Sequence, residues 1–255
     1  MSENYGKLAT LFYECVKTSA DAVAEVAFYR LYAEEAGGPI LEPMCGTGRI
    51  LLPLLRAGFA IEGFDASEEM LQALRSKYVL QWSAGEAPVW CQFAQHFVAK
   101  KSYHLILIPF GSWGLIVDER ERADALAAFY KGLVPGGTFL LEVDMVASEA
   151  AHADEVVGHE QVYLLPDGGE LRVIVQSLYD SSRCLYRALS RYSVWQAEVC
   201  VAQEDELFTQ HVFTPSQIEH ELTSAGFCIV GRYADYAKRP AGDDESRIVY
   251  ECVKE

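Results

Sequence analysis

Residues 40–50, ILEPMCGTGRI, constrain the fold of this chain more than any other stretch. They join an apolar run that ends near a carboxylate to a Gly-x-Gly turn, and then to apolar residues at helical spacing. Gly46 and Gly48 permit unusual backbone dihedrals and a close approach to a ligand, and the amides of the following helical turn point to the same place. The pattern predicts a strand, a tight loop and a helix N-terminus, as in a nucleotide-cofactor loop.

The next informative residue is Asp65, which follows a second short apolar run at residues 60–64. A parallel strand there would bring the aspartate to the edge of the sheet that holds the glycine loop, where its carboxylate can accept both hydroxyls of a ribose. The interval from the loop to Asp65 is about that of a βαβ unit. A dinucleotide fingerprint would need a third glycine at Leu51. This leucine therefore argues against a nicotinamide cofactor.

With these residues the chain resembles the class I, Rossmann-like S-adenosylmethionine (SAM)-dependent methyltransferases, of the small-molecule type with methyltransferase domain 25. Glu42, Gly46 and Gly48 match the family's acidic residue and its G-x-G pattern, and Asp65 matches the acidic ribose ligand. The sequence LVPGGTFLLEVD at residues 133–144 resembles the family's LxPGG motif and the strand after it. The resemblance covers residues 38–145 and 213–254.

The resemblance and the apolar patterns predict an α/β fold, a Rossmann-like three-layer sandwich around a mostly parallel seven-stranded sheet with an antiparallel last strand. Residues 37–156 and 213–255 would form this SAM-binding domain. Residues 1–36 would form an N-terminal helical flap, broken near residues 17–20, where Thr18 or Ser19 could cap a second helix. Residues 157–212 alternate in polarity and would form an antiparallel β insert, with a loop near residues 202–204. We expect this insert to be a lid that could also join two protomers.

Local signals predict the other elements of the central domain. A third strand is expected at residues 89–93, and a buried strand, YHLILI, precedes Pro-Phe-Gly-Ser-Trp. A helix is expected at residues 118–133, and a loop or short helix at about 144–159. Ser67 should cap one helix, and Thr214 or Ser216 should cap another.

Composition narrows the classes of partner. The chain has 37 acidic and 21 basic residues and a formal charge of -16, which would repel a phosphate backbone, so we expect no nucleic-acid partner. Its apolar runs are far shorter than the ~20 residues that span a bilayer, which predicts a soluble protein with no membrane partner. Seven scattered cysteines, without a C-x-x-C or a His/Cys pair at ligand spacing, predict a reducing cytoplasm and no metal site.

The resemblance implies SAM as the cofactor and S-adenosylhomocysteine (SAH) as the product. Met44 stands where the family usually has glycine. Phe93 stands where the family usually has an acid for the adenine amino group, so that contact would fall to a backbone carbonyl or to Gln95. The residues to which the resemblance assigns cofactor contacts are Glu42, Met44, Cys45, Gly46, Thr47, Gly48, Asp65, Ala66, Met70, Phe93, Ala94, Pro109 and Phe110.

Methyl transfer from a sulfonium is an in-line displacement that requires alignment and the exclusion of water, rather than a protein nucleophile or a metal. Tyr13 and His211 are the candidate catalytic residues. Resemblance to small-molecule N-methyltransferases with an N-terminal tyrosine implies a Tyr13 hydroxyl near the methyl group, and His211 could serve as a base for the acceptor. An ordinary packed tyrosine and a hydrogen-bonded strand histidine are the alternatives. The candidate substrate contacts are Tyr5, Trp113, Glu142 and Arg191.

The sequence thus predicts a SAM-dependent methyltransferase acting on a small-molecule acceptor, with nitrogen favoured over oxygen. Three alternatives stay open. The chain could bind SAM or SAH without turnover, it could methylate a protein, or it could be a NAD-dependent oxidoreductase on the same fold, since fold alone does not fix function.

Overall fold

A computed structural model describes residues 5–16, 21–82, 85–146 and 157–255 of the chain. Two sheets dominate it. The seven-stranded sheet has the order β10-β11-β5-β4-β1-β2-β3, and the four-stranded sheet has the order β6-β7-β8-β9.

The central sheet is parallel from β3 through β5, and β11 runs antiparallel to β5 and to β10. This arrangement confirms the predicted fold class. Its strands are β1 (Ile40–Pro43), β2 (Ile61–Asp65), β3 (Val89–Cys91), β4 (Tyr103–Ile108), β5 (Leu133–Asp144), β10 (Cys228–Tyr233) and β11 (Arg247–Val253).

Both faces of this sheet are buried, because alternate residues of each strand enter different cores. In β4, Leu105 and Leu107 belong to one core, and Ile106 and Ile108 belong to the other. The first core is covered by α2 (Asp21–Ala36), α3 (Leu51–Arg56) and α4 (Glu68–Gln81). The second core is covered by α5 (Glu119–Gly132) and α6 (Pro215–Ser224). The result is a three-layer sandwich.

Side-chain caps define the start of three helices. Ser67 accepts the backbone N–H of Met70 and begins α4, as predicted. Asp118 begins α5 in the same way. Thr214 begins α6 in a capping box with Gln217. Each cap satisfies an N–H group that the helix itself leaves unbonded.

The third strand is shorter than predicted. It ends at Cys91, because Phe93 caps a short 3₁₀ helix, Ala94–His96, that turns the chain away from the sheet. A second 3₁₀ helix, Ser112–Leu115, follows β4.

The N-terminal segment contains α1 (Lys7–Val16), which is separate from α2. The predicted break at residues 17–20, with its caps Thr18 and Ser19, lies outside the described residues, as do residues 147–156 of the predicted loop after β5. Helix α2 ends at Ala36, and Gly37 follows with a left-handed φ of 62°. Among the described residues, no helix is both long enough and apolar enough to cross a membrane.

The insert is a four-stranded antiparallel sheet of β6 (Val157–Leu164), β7 (Glu170–Asp180), β8 (Leu185–Gln196) and β9 (Val199–His211). We call this sheet the lid. The predicted loop at residues 202–204 is wrong: these residues lie within β9, and the chain reverses at Ala197 and Glu198. One face of the lid packs Leu171, Val173 and Ala188 against α1. The helix therefore lies between the lid and the central domain.

Candidate functional site

A cavity of about 530 Å³ lies beyond the C-terminal ends of β1 and β2, the edge at which ligands bind in open α/β sheets. It extends to the second 3₁₀ helix and to the start of α5. The predicted site residues that the structure brings together on its wall are Tyr5, Tyr13, Met44, Gly46, Asp65, Ala66, Met70, Phe93 and Ala94.

The glycine loop forms one wall of the cavity. Gly46 has a left-handed φ of 52°, and a Cβ added to it would lie 3.8 Å from the Tyr13 hydroxyl oxygen. Met44 also has a left-handed φ, 57°, at the position where the resembling family usually has glycine. This conformation costs an L residue about 1–2 kcal/mol. The loop thus keeps a glycine-type backbone although its residue here is methionine.

Asp65 closes the loop from the other side. Its Oδ2 accepts the backbone N–H of Gly46 at 2.8 Å, and its Oδ1 accepts that of Ser67 at 2.9 Å. Burial raises the pKa of this carboxyl, and the backbone hydrogen bonds oppose the rise. A carboxylate has about four acceptor positions, so each oxygen can still accept a ligand hydroxyl.

Glu42 lies under the loop at the end of β1 and is 2% exposed. Burial raises the pKa of its carboxyl well above the usual value, and the Arg49 charge opposes the rise. Its Oε2 has no hydrogen-bond partner in the described part of the chain, and neither has Nε of Arg49. The Arg49 guanidinium forms a salt bridge with Glu25.

The far end of the cavity is lined by residues 92–95. Gln92 is engaged by its neighbours: its Oε1 accepts Trp90 Nε1 at 2.7 Å, and its Nε2 donates to the His96 carbonyl at 2.7 Å. Phe93 and Gln95 therefore offer an aromatic edge and an amide where the family usually has a carboxylate.

Two tyrosines form the roof. The rings of Tyr5 and Tyr13 meet edge to face at 5.8 Å, and Tyr5 also meets Phe208 of the lid at 6.2 Å. Burial, followed by the nearby Glu206 carboxylate, raises the pKa of the Tyr5 hydroxyl. Tyr5 therefore stays protonated at neutral pH.

Several predicted cofactor residues support the loop rather than line the cavity. The Thr47 hydroxyl donates to Glu14 of α1. Burial of Cys45 raises the pKa of its thiol. Gly48 packs on α3 and α4, where an added Cβ would lie 2.9 Å from Leu52 and Leu74. Pro109 and Phe110 follow β4, and the Phe110 ring lies between two guanidinium groups, at 4.0 Å from Arg49 and 4.8 Å from Arg247.

Other predicted residues lie away from the cavity wall. Trp113 was expected in the wall of the cleft, but it does not line the cavity. Its side chain is fully buried in the core against Phe129. Glu142 is also fully buried and accepts the hydroxyls of Tyr29 and Tyr236.

The remaining two predicted residues lie on the lid. Arg191 is on its exposed face and forms a salt bridge with Asp205 at 2.7 Å. His211 ends β9, and burial, with a smaller effect of Arg122, lowers its pKa to about 4. The imidazole is therefore neutral at pH 7. It does not line the cavity.

Sequence reasoning missed the wall formed by residues 115–119 and by Thr209. The chain reaches this wall by tertiary packing: a Cβ on Gly114 would lie 2.4 Å from the His211 carbonyl oxygen, so the 3₁₀ helix packs directly under the end of β9. The Gln210 amide also donates to Asp144 at 2.6 Å. No group of three His, Cys, Asp or Glu side chains with metal-binding geometry occurs in the described part of the chain.

Comparison with known proteins identifies this arrangement. Residues 40–137 match the model of a family described as "Methyltransferase domain". A curated relative from Geobacillus sp. (strain WCH70), named "Putative methyltransferase GWCH70_2453", is 24% identical over 230 residues, which are 88% of this chain and 87% of the relative.

Two solved structures share the fold. An S-adenosylmethionine-dependent methyltransferase from Clostridium acetobutylicum ATCC 824 superposes with a TM-score of 0.79 at 18% identity, covering 97% of this chain and 98% of its own. The sugar N-methyltransferase KedS8 from Streptoalloteichus sp. ATCC 53650 superposes with a TM-score of 0.75 at 19% identity, covering 100% of this chain and 96% of its own. These matches agree with the methyltransferase resemblance and with the cofactor, SAM, predicted from the sequence. Residues 40–137 match a methyltransferase domain, and the chain has the fold of solved SAM-dependent methyltransferases.

Proposed function

We propose that this protein transfers a methyl group from SAM to a nitrogen atom of a small molecule. The observation that carries the proposal is the roofed cavity, in which the Tyr13 hydroxyl faces Gly46 of the glycine loop and Asp65 lines the same wall. Its volume, about 530 Å³, lies in the range of small-molecule and cofactor sites.

The residues of the cavity suit the parts of SAM. Each oxygen of Asp65 has capacity for one ribose hydroxyl beyond the backbone N–H that it already accepts. Glu42 Oε2 and Arg49 Nε lie under the glycine loop rather than on the cavity wall and have no partners in the described part of the chain, and an ammonium group and a carboxylate of the methionyl part would complement them. Phe93 and Met70 offer apolar surfaces to an adenine ring. The bound cofactor would supply a sulfonium methyl group to the lone pair of a neutral amine; the sulfur would leave as the thioether of SAH, and the surplus proton of the methylated amine would pass to solvent.

The chain's own contribution would be alignment and the exclusion of water. Tyr5 and Tyr13 cover the loop, and Thr209 brings the lid to the same cavity. Holding two reactants in an attacking geometry can supply several orders of magnitude of rate. This reaction requires neither a metal nor a covalent intermediate, and the buried Tyr5 hydroxyl remains a hydrogen-bond donor.

The charges of the cavity favour an amine over an alcohol or a phosphorylated acceptor. Four carboxylates lie on its described wall, from Asp65, Asp118, Glu119 and Glu121, and that wall includes no Lys, Arg or His. An acidic lining attracts cations and repels phosphate. KedS8, which shares the fold, is itself a sugar N-methyltransferase.

We also propose that the lid pairs two copies of the chain. Its outer face exposes Leu189 and Leu207, which are direct cross-strand neighbours at 51% and 57% exposure, together with Ile174 of β7 at 47%. Exposed apolar side chains grouped on one face of a sheet are typical of an interface. Light scattering should give a dimer for the wild type and a monomer for Leu189→Asp, whereas Val230→Asp, a control on the exposed part of β10, should stay dimeric.

Calorimetry with SAH tests the cofactor, and paired acceptors test the chemistry. The protein would be incubated with SAM and a set of amino sugars, and in parallel with the same sugars carrying a hydroxyl in place of the amine. Mass spectrometry would then detect the methylated products. We expect a gain of one methyl group on amines only. Equal or greater methylation of the hydroxyl partners would contradict the nitrogen assignment. SAH binding with no product in either set, but with methylated protein substrates, would support the protein-methyltransferase alternative.

A further inference from the structure

The first turn of α1 is capped by the lid rather than by its own sequence. The helix has no acidic residue in its first turn. Instead, the Glu204 carboxylate of β9 accepts two of its backbone N–H groups, that of Leu8 at 3.0 Å and that of Ala9 at 3.2 Å. Such groups at a helix N-terminus otherwise lack partners, and a negative charge is favourable there.

Gly6 leaves the space for this carboxylate. A Cβ added to Gly6 would lie 2.6 Å from Glu204 Oε1 and 2.8 Å from its Cδ, closer than real contacts allow. The N-terminal segment and the lid therefore pack closely at this point, through two residues that are far apart in sequence, Gly6 and Glu204.

Tyr5 joins the same part of the lid to the cofactor side. Its backbone N–H donates to the Glu206 carboxylate of β9, and its carbonyl accepts the Ser67 hydroxyl at 2.9 Å. Ser67 is the cap of α4, two residues after Asp65. One residue of the roof thus bridges the lid and the ribose side of the cavity, with its φ held at 67°.

The other end of α1 is bonded to the central domain, while Phe12 packs on Tyr163 and Tyr192 of the lid. Glu14 accepts the Thr47 hydroxyl of the glycine loop and the Lys77 ammonium at 3.0 Å. Tyr13 is the neighbouring residue, and its hydroxyl faces Gly46. Release of Glu204 would therefore loosen the first turn of α1 while Glu14 still holds its last turn on the glycine loop.

We propose that Glu204 is a positioning residue that latches the roof, so that the release of Leu8 and Ala9 from its carboxylate sets how fast SAH leaves the cavity. The inference rests on the proposed function, because it assumes that this cavity holds the cofactor. Glu204 acts through Tyr5 and Tyr13 and need not touch the ligand itself. Opening the latch would remove the roof while leaving Asp65 in place to bind.

The test compares SAH dissociation from the full chain and its variants by surface plasmon resonance. Loss of a helix cap in Glu204→Ala should raise the dissociation rate constant about tenfold. Gly6→Ala, which displaces the carboxylate without removing it, should act in the same direction. Glu204→Gln retains one acceptor oxygen and should be intermediate, and Glu198→Ala, at the exposed hairpin turn, should match the wild type.

Hydrogen exchange provides the second measurement. The Leu8 and Ala9 amides should lose protection in Glu204→Ala and keep it in Glu198→Ala, and SAH should increase their protection only where Glu204 is present. Wild-type rates of SAH release in both Glu204→Ala and Gly6→Ala would overturn the latch. If the wild type does not bind SAH, the proposed function fails instead, and unchanged exchange at Leu8 and Ala9 in Glu204→Ala would reject the cap independently.

Discussion

Asp65 and Gly46 are joined by a hydrogen bond of 2.8 Å from the Gly46 backbone N–H to the Asp65 Oδ2 atom. The bond connects the end of β2 to the glycine loop and positions the carboxylate at the floor of the cavity. Cofactor recognition and loop geometry therefore depend on the same side chain.

Asp65→Asn should weaken SAH binding roughly tenfold to hundredfold, because hydrogen bonds to a charged group contribute about 1.5–3 kcal/mol. The amide can no longer accept through both of its terminal atoms. Titration calorimetry checks the prediction. Glu68→Gln is the matched control, since Glu68 is an exposed carboxylate in the first turn of α4 that pairs with Arg75. Equal affinities for both variants would exclude Asp65 from the binding site.

The central sheet could be predicted from the sequence because its signals are local. Buried strands read as apolar runs, the loop carries its glycines, and Ser67 precedes a helix with acids in its first turn. The cavity wall formed by residues 115–119 could not be predicted. Which side of the 3₁₀ helix faces the cavity depends on the end of β9, almost a hundred residues further along the chain, packing against Gly114.

The hairpin of the lid shows a second limit. The acidic sequence AQEDE at residues 202–206 resembles a loop, whereas Ala197-Glu198 lacks the usual turn residues. In the structure Glu204, Asp205 and Glu206 lie in β9, and their side chains point alternately to its two faces. Asp205 pairs with Arg191 on the exposed face, while on the other face Glu204 binds the backbone of α1 and Glu206 binds that of Tyr5. The contact of β9 with the N-terminal segment explains why Glu204 and Glu206, on the face of β9 toward α1, are charged.

Ala197 is the first residue of this two-residue turn and has a left-handed φ of 54°. Hairpin turns with a positive φ at that position favour glycine. Ala197→Gly should therefore raise the free energy of unfolding by about 0.5–1 kcal/mol, because the steric cost of the left-handed conformation disappears. Ala202→Gly, the same change within β9, should lower it by a similar amount. Urea denaturation measures both, and the same sign for both would refute the argument.

Gly114 lies where the second 3₁₀ helix packs against the lid. Gly114→Ala would place a Cβ 2.4 Å from the His211 carbonyl oxygen and 2.6 Å from Gln210 Cγ, so the backbone at the end of β9 must move. Overpacking of this kind typically costs about 1–3 kcal/mol of stability. Gly158→Ala is the control, because the nearest atom to its added Cβ is 3.9 Å away. Similar denaturation midpoints for both variants would show that the lid adjusts freely.

His211 should make stability depend on pH. Burial, with a smaller effect of Arg122, lowers its pKa from 6.5 to about 4 in the folded chain. Between these pH values the unfolded chain binds a proton at His211 and the folded chain does not, so this residue lowers stability as the pH falls. His211→Gln removes the effect. The unfolding free energy of the wild type minus that of the variant should therefore fall between pH 7 and pH 5, and a constant difference would contradict the lowered pKa. Because the imidazole is already neutral at pH 7, a base role for His211 would show no loss of rate near pH 6.5, whereas a residue with an ordinary histidine pKa would.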